Sequence, residues 1–140
     1  MTSTMDVLNE KNMHLEKFFR LNEIELEKFT AEDFSGLDEF YKTREGILDI
    51  VRKLDEMLER ADDDMDPATI DETLKKEILV ALDYKNNLVT RIFEQDLRIL
   101  SVLENAKSNI IKELAQVRGA KKAIGAYHSG QSKTRLNEKA

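Results

Sequence analysis

Apolar residues recur at three- and four-residue intervals along most of the chain, the spacing of helices that each bury one face. The first such segment runs from about Asp6 to Phe29, after an N-cap at Ser3 or Thr4. Its apolar face comprises Leu8, Leu15, Phe19, Leu26 and Phe29, with Phe18 beside it. We therefore predict a first helix over residues 6–29.

A second helix is predicted after a short break. Thr30 followed three residues later by Asp33 is typical of a helix start, because the two side chains can cap the first turn. The helix is expected to begin at Glu32 or Ser35 and to end near Ala61. Its heptad-spaced apolar residues are Leu37, Phe40, Ile47, Val51, Leu54 and Leu58.

Arg44 falls within the apolar row of this second helix. Its flexible stem can lie along apolar neighbours while the guanidinium reaches Glu45 or an acidic group on a facing helix. A structural role is therefore expected for Arg44.

The third predicted helix is much longer. The acidic stretch 62–66 and Pro67 indicate a start at residues 67–70. Nothing strong stops the helix before Gly119, so it can run from about residue 68 to about 126; a break near residues 83–87 is the alternative.

Two rows of apolar residues lie along this helix. The first comprises Leu82, Val89, Phe93, Leu100, Leu103, Ile110, Leu114, Val117 and Ile124, and the second comprises Leu88, Ile92, Ile99, Val102, Ala106 and Ile111. Asp96, Lys107 and Lys121 interrupt the first row. So wide a face needs several helical neighbours or a partner protein. The predicted fold is all-α: an antiparallel hairpin packed on a long C-terminal helix, in an elongated, coiled-coil-like bundle of three or four helices.

The composition agrees with one helical domain. The chain has 140 residues, one Pro, no Trp and no Cys. We expect a single helical domain over residues 1–127 and a flexible basic tail over 128–140, whose only large aliphatic side chain is Leu136. No secretory signal pattern or apolar membrane-spanning run is visible, which favours a cytoplasmic protein without membrane insertion.

Charge is unevenly distributed. The chain has a net charge of −6, but residues 112–140 carry +5 and residues 1–111 carry −11. An acidic body argues against nucleic acid as the main partner. The basic end can attract an acidic protein surface, or it can simply match the negative end of a helix dipole.

Catalytic and metal-binding patterns are weak. Asp62, Asp64 and Asp66 have the spacing of an EF-hand loop, but Pro67 and Thr73 occupy positions that need Gly and Glu. His14 and His128 form no recognisable metal pair. We expect no catalytic residues, no metal, no cofactor and no enzymatic activity.

Three segments resemble the flagellar type III export chaperones of the FlgN and FliT families. They are residues 27–37, residues 42–48 with Arg44-Glu45 before an apolar run, and Gly119-Ala120-Lys121-Lys122-Ala123-Ile124-Gly125-Ala126-Tyr127. The last is similar to a Gly-Lys-Lys-Ala-x-x-Ala-Tyr ending in those families, although Ala120 departs from its tightest form. The chain length favours the FlgN type.

The resemblance implies a chaperone that binds the C-terminal helical region of a flagellar axial protein and delivers it for export. A FlgN-like protein would bind the hook-filament junction proteins FlgK and FlgL, whereas a FliT-like protein would bind the filament cap protein FliD. Tyr127 would help to dock the complex on the export gate FlhA.

The client is expected on the last helix, where the predicted hairpin is too short to cover the apolar residues. The expected client-binding residues are Leu100, Leu103, Ile110, Leu114 and Val117. The alternative is a structural coiled-coil protein that self-associates without a chaperone role, and the sequence leaves a homodimer open.

Overall fold

Three α-helices and one short 3-10 helix make up the computed structural model, which describes residues 3–63 and 65–132. The side chains of Pro67 and of residues 126–132 lie outside that description. The elements are α1 (Thr4–Thr30), α2 (Leu37–Asp63), the 3-10 helix (Pro67–Thr69) and α3 (Glu72–Ser132). No strand occurs among the described residues. The predicted all-α fold, a hairpin of helices packed with a long C-terminal helix, is confirmed.

The chain divides into two compact units, Met1–Leu100 (unit 1) and Ser101–Ala140 (unit 2). Unit 1 contains α1, α2 and the first part of α3, and unit 2 contains the rest of α3. Helix α3 is continuous through residues 83–87, so the alternative of a break there is wrong. It also ends at Ser132, beyond the predicted 126. Of the predicted tail, residues 128–132 belong to the helical backbone of α3, and residues 133–140 lie outside the described residues, so the flexibility of that part stays a prediction.

The two predicted helix starts near the N-terminus have different outcomes. The Ser3 hydroxyl accepts a hydrogen bond from the Asp6 N–H at 3.1 Å, which confirms Ser3 as the N-cap of α1. The start predicted at Thr30 is wrong. The Thr30 hydroxyl instead donates to the Leu26 carbonyl at 2.7 Å within α1, and α2 begins only at Leu37.

A left-handed residue ends α1. Glu32 has φ of 63° and is the only non-glycine residue of the described chain in that region. Its N–H donates to the Phe29 carbonyl at 3.0 Å, and the Asp33 N–H donates to the Lys28 carbonyl at 2.9 Å. This pair of hydrogen bonds is the Schellman arrangement, which satisfies carbonyls that the helix end would otherwise leave free.

Asp66 and Asp71 each cap a different helix start in the C-terminal helical region. The Asp66 carboxylate accepts from the Ala68 N–H at 3.0 Å and caps only the 3-10 turn. The Asp71 carboxylate accepts from the Leu74 N–H at 2.7 Å, at the start of α3. Helix α3 therefore begins at Glu72, just after the start predicted at residues 67–70.

The core of unit 1 uses the second apolar row of α3. The buried α3 side chains there are Ala81, Leu88, Ile92, Gln95 and Ile99, whereas Val89, Phe93 and Leu100 of the first row are exposed. Leu88 and Ile92 pack with Leu15 and Phe18 of α1. The chain's strongest heptad pattern therefore lies on the solvent side of α3 in this unit.

None of the helices in the described part of the chain combines the length and the apolar character that a membrane span requires.

Candidate partner-binding surfaces

Unit 2 carries a row of exposed apolar side chains at three-, four- and seven-residue spacing. We call it the C-terminal row; it consists of Ile110, Leu114, Val117 and Ile124. Each of these side chains is more than half exposed. This spacing places the four residues on one side of a helix. An apolar row of this kind on a water-facing helix is typical of a surface that binds another helix.

The structure separates the five predicted client-binding residues by exposure. Ile110, Leu114 and Val117 are exposed in unit 2, as the prediction requires. Leu103, also in unit 2, is only half-buried. Leu100 is exposed but belongs to unit 1. The C-terminal row thus holds three of the five residues, and Ile124 was not among the five.

Positive charge accompanies the C-terminal row. Exposed basic side chains are Lys107, Lys112, Arg118, Lys121 and Lys122. In the same stretch, residues 105–125, the only acidic side chain is Glu113. A helix with an apolar row and basic flanks favours an acidic partner surface.

Tyr127, predicted to dock on the export gate, lies in the helical backbone of α3. Its side chain is outside the described residues. The docking role therefore stays a prediction.

Unit 1 contains a second surface, a groove between α1 and α3 with a volume of about 660 Å³. We call it the α1–α3 groove. Its apolar walls are formed mainly by Met5 and Met13 of α1 and by Val80, Ala81 and Tyr84 of α3. Val80 is 68% exposed, so its isopropyl group faces water rather than another part of unit 1. Apolar grooves between the helices of a bundle are common binding sites.

Asn12 joins the two walls of the groove. It lines the groove, is only 5% exposed, and its side-chain amide donates to the Ala81 carbonyl at 3.1 Å. The Asn12 Oδ1 atom is buried without a hydrogen-bond partner. Because Asn12 binds the backbone of α3, it holds α1 and α3 at a fixed separation beside the groove.

A tyrosine and a glutamate close one side of the groove. The Tyr84 hydroxyl donates to the Glu16 carboxylate at 2.8 Å. This hydrogen bond stabilises the protonated phenol and raises the pKa of Tyr84 above its ordinary value. The contact joins α1 to α3 through side chains that also line the groove.

The groove was missed in the sequence for a physical reason. Met5 and Met13 are not part of the predicted apolar face of α1, and Val80 belongs to neither predicted row of α3. Methionine and valine outside the main stripe are common on helix surfaces. Only the packing of α1 on α3 brings these side chains to one groove. The eight-residue spacing of Met5 and Met13 in α1 was visible in the sequence.

The structure confirms the structural role predicted for Arg44. Its guanidinium donates to both carboxylate oxygens of Asp96 on α3, at 3.1 and 3.2 Å, and lies over the rings of Phe18 and Phe40. Asn22 of α1 also donates to Asp96, at 3.0 Å. The interruption that Asp96 makes in the first apolar row is therefore a polar contact among all three helices.

The described residues include no group of three or more His, Asp or Glu side chains placed to hold a metal ion.

Comparison of the chain with protein-family models, with curated proteins and with solved structures gave no match in any of the three.

Proposed function

We propose that this protein is a helical export chaperone that holds an amphipathic segment of a client protein on the C-terminal row. The observation that carries the proposal is the exposure of Ile110, Leu114, Val117 and Ile124 along one side of α3. An isolated exposed leucine is ordinary, but four large aliphatic residues in helical register form a binding face.

The client class follows from the resemblance to the FlgN and FliT families. The client is a flagellar axial protein, of the hook-junction type FlgK or FlgL, and its C-terminal helical region packs on the C-terminal row. The complex then docks on FlhA with the help of Tyr127. A FliT-like specificity for FliD is the nearest variant of the same proposal.

The binding mode rests on ordinary helix packing. A client helix would place apolar residues about one turn apart against the C-terminal row. The basic flank contributed by Arg118, Lys121 and Lys122 would favour a client helix with acidic residues beside its apolar face. Binding would cover the apolar surfaces of both proteins and so prevent premature assembly of the client.

The test is capture of purified FlgK, FlgL and FliD by the full chain, measured by isothermal titration calorimetry. Ile110→Glu and Leu114→Glu are expected to weaken binding at least tenfold, because each places a charge in the buried centre of the complex. Leu97→Glu is the matched control. Leu97 is 53% exposed and Leu114 is 52% exposed, and both lie in α3.

Three results would contradict the proposal. The first is absence of binding to any of the three clients, and the second is equal loss of binding in Leu97→Glu and Leu114→Glu. The third is unfolding of the Ile110→Glu and Leu114→Glu variants in circular dichroism, because the row would then belong to a core.

The rival function is a structural coiled coil. The spacing of Ile110, Leu114, Val117 and Ile124 also suits pairing of the row with the same row of a second copy. In that case Leu114→Glu would change the mass measured by light scattering while no axial protein bound to the unchanged chain.

A further inference from the structure

The α1–α3 groove is long enough to bind a short helical segment. Its α3 wall extends from Thr73 to Tyr84, which corresponds to about 16 Å of helix at 1.5 Å per residue. The segment from Ile110 to Val117 is about 10 Å long by the same rise. Three consecutive apolar residues of the C-terminal row therefore fit within the length of the groove.

The two units carry opposite charge. Residues 1–100 have a net charge of −11, and residues 101–140 have a net charge of +5. Glu16 and Glu77 line the groove together with a single lysine, Lys76. Within unit 2, the basic side chains flank the apolar row that needs a cover. Unit 1 of one molecule and unit 2 of another therefore attract each other at long range.

Both surfaces are apolar at their centres and polar at their edges. Val80 and Met13 are exposed in the groove, and Leu114 and Val117 are exposed in the C-terminal row. Contact between them would remove exposed apolar area from water on both sides. That arrangement, with an apolar centre and charged edges, is the usual anatomy of a protein interface.

We propose that the α1–α3 groove binds the C-terminal row of a second copy of the chain. Each molecule supplies one groove and one row, so the groove of each of two molecules can bind the row of the other. The proposal goes beyond the chaperone function and does not depend on it. In a protein that also binds a client, the second copy would cover the row until the client displaces it.

The test uses the absence of natural cysteine. One preparation carries Val80→Cys in the groove, and a second carries Leu114→Cys in the row. Mixed under mild oxidation, the two are expected to form a disulfide-linked heterodimer at least tenfold faster than a mixture in which Leu97→Cys replaces Val80→Cys. Leu97 is also exposed, at 53% against 68% for Val80, and lies in α3 outside the groove.

Two outcomes of the cross-linking experiment would contradict the proposal. Equal rates with Val80→Cys and Leu97→Cys would show that the groove receives nothing specific. Faster linkage of Leu114→Cys chains to one another than to Val80→Cys chains would show that the row pairs with itself. Either result overturns the proposal.

Sedimentation of the cysteine-free protein gives an independent test. The unchanged chain is expected to dimerise, less strongly at high salt because opposite charges attract the two units. Val80→Asp should abolish the dimer, and Leu97→Asp should leave it intact. A chain that is monomeric at all concentrations, or a Val80→Asp variant that dimerises normally, overturns the proposal.

Client capture separates this proposal from the chaperone function. Val80→Asp should bind FlgK or FlgL at least as tightly as the unchanged chain, because the groove is not the client surface. Failure of all client binding together with a groove-dependent dimer would reject the chaperone and retain the dimer. Client binding without a groove-dependent dimer would do the reverse.

Discussion

Arg44 of α2 and Asp96 of α3 form a two-point ion pair, with the guanidinium nitrogens 3.1 and 3.2 Å from the two carboxylate oxygens. Fifty-two positions separate the two residues in sequence. Asn22 of α1 donates to the same carboxylate. A single charged side chain on α3 thus connects all three helices of unit 1.

The first prediction is that this ion pair stabilises the bundle cooperatively. Arg44→Met and Asp96→Asn are each expected to lower the free energy of unfolding by about 1–2 kcal/mol, since partial exposure of Asp96 reduces the energy of a charged hydrogen bond. The double variant should lose about 1 kcal/mol less than the sum of the two. Urea unfolding of the four proteins measures the coupling; additive losses would mean that the pair contributes little.

The second prediction concerns the left-handed residue at the end of α1. Glu32→Gly should raise the free energy of unfolding by about 0.5–1 kcal/mol, because glycine adopts a positive φ without the steric cost of a Cβ atom. Glu45→Gly in α2 is the matched control and should lower stability by about 1 kcal/mol. Thermal unfolding of both variants checks the pair, and destabilisation by both changes would refute the strain at Glu32.

The third prediction concerns the aromatic contacts at the closed end of the hairpin. Phe29 and Phe40 are each 1% exposed and meet edge to face, with ring centroids 5.4 Å apart. Phe40→Ala should cost about 3–5 kcal/mol. Tyr41→Ala, at an exposed neighbouring position, should cost less than about 1 kcal/mol. Chemical unfolding compares the two, and similar losses would place the cluster outside the core.

The fourth prediction follows from the hydrogen bond between Tyr84 and Glu16. In a spectrophotometric titration, Glu16→Gln should lower the pKa of Tyr84, because an amide oxygen stabilises the protonated phenol less than a carboxylate does. Since the folded pKa is raised, the contact stabilises the fold at pH below the ordinary tyrosine value and loses this effect as pH rises through the folded value. A Tyr84→Phe variant identifies the signal, and an unchanged titration in Glu16→Gln would refute the contact in solution.

The fifth prediction separates docking from packing at Tyr127. Tyr127→Ala should leave the melting temperature and client capture nearly unchanged while weakening binding to the cytoplasmic part of FlhA and lowering client secretion. The cause would be loss of an aromatic ring that contacts a partner. A melting temperature several degrees lower, with gate binding intact, would assign Tyr127 to the packing of the helix.

The helices and their order were predictable because apolar spacing reports directly on the buried faces. The heptad positions of α2 include its two buried residues, Phe40 and Leu54. The N-cap at Ser3 also followed from local chemistry alone. These features depend on residues that are close in sequence.

The choice between the two rows of α3 was not predictable from apolar spacing. Gln95 occupies a buried position, where its amide donates to the Phe19 carbonyl at 3.0 Å and to Glu23 at 3.2 Å. A polar residue in the core interrupts the periodic spacing of apolar residues from which a buried helix face is predicted. Similarly, the groove depends on which faces of α1 and α3 meet, and the two helices are far apart in the sequence.

The long sequence separation of the Asp96 contacts has a consequence for synthesis of the chain. Arg44 and Asn22 leave the ribosome well before Asp96, so α1 and α2 are made while both side chains lack their carboxylate partner. The hairpin can form early because its contacts are local, but completion of unit 1 waits for a late segment of α3. A nascent chain that stalls before Leu88 would therefore expose Leu15 and Phe18, which Leu88 and Ile92 of α3 cover in the finished protein.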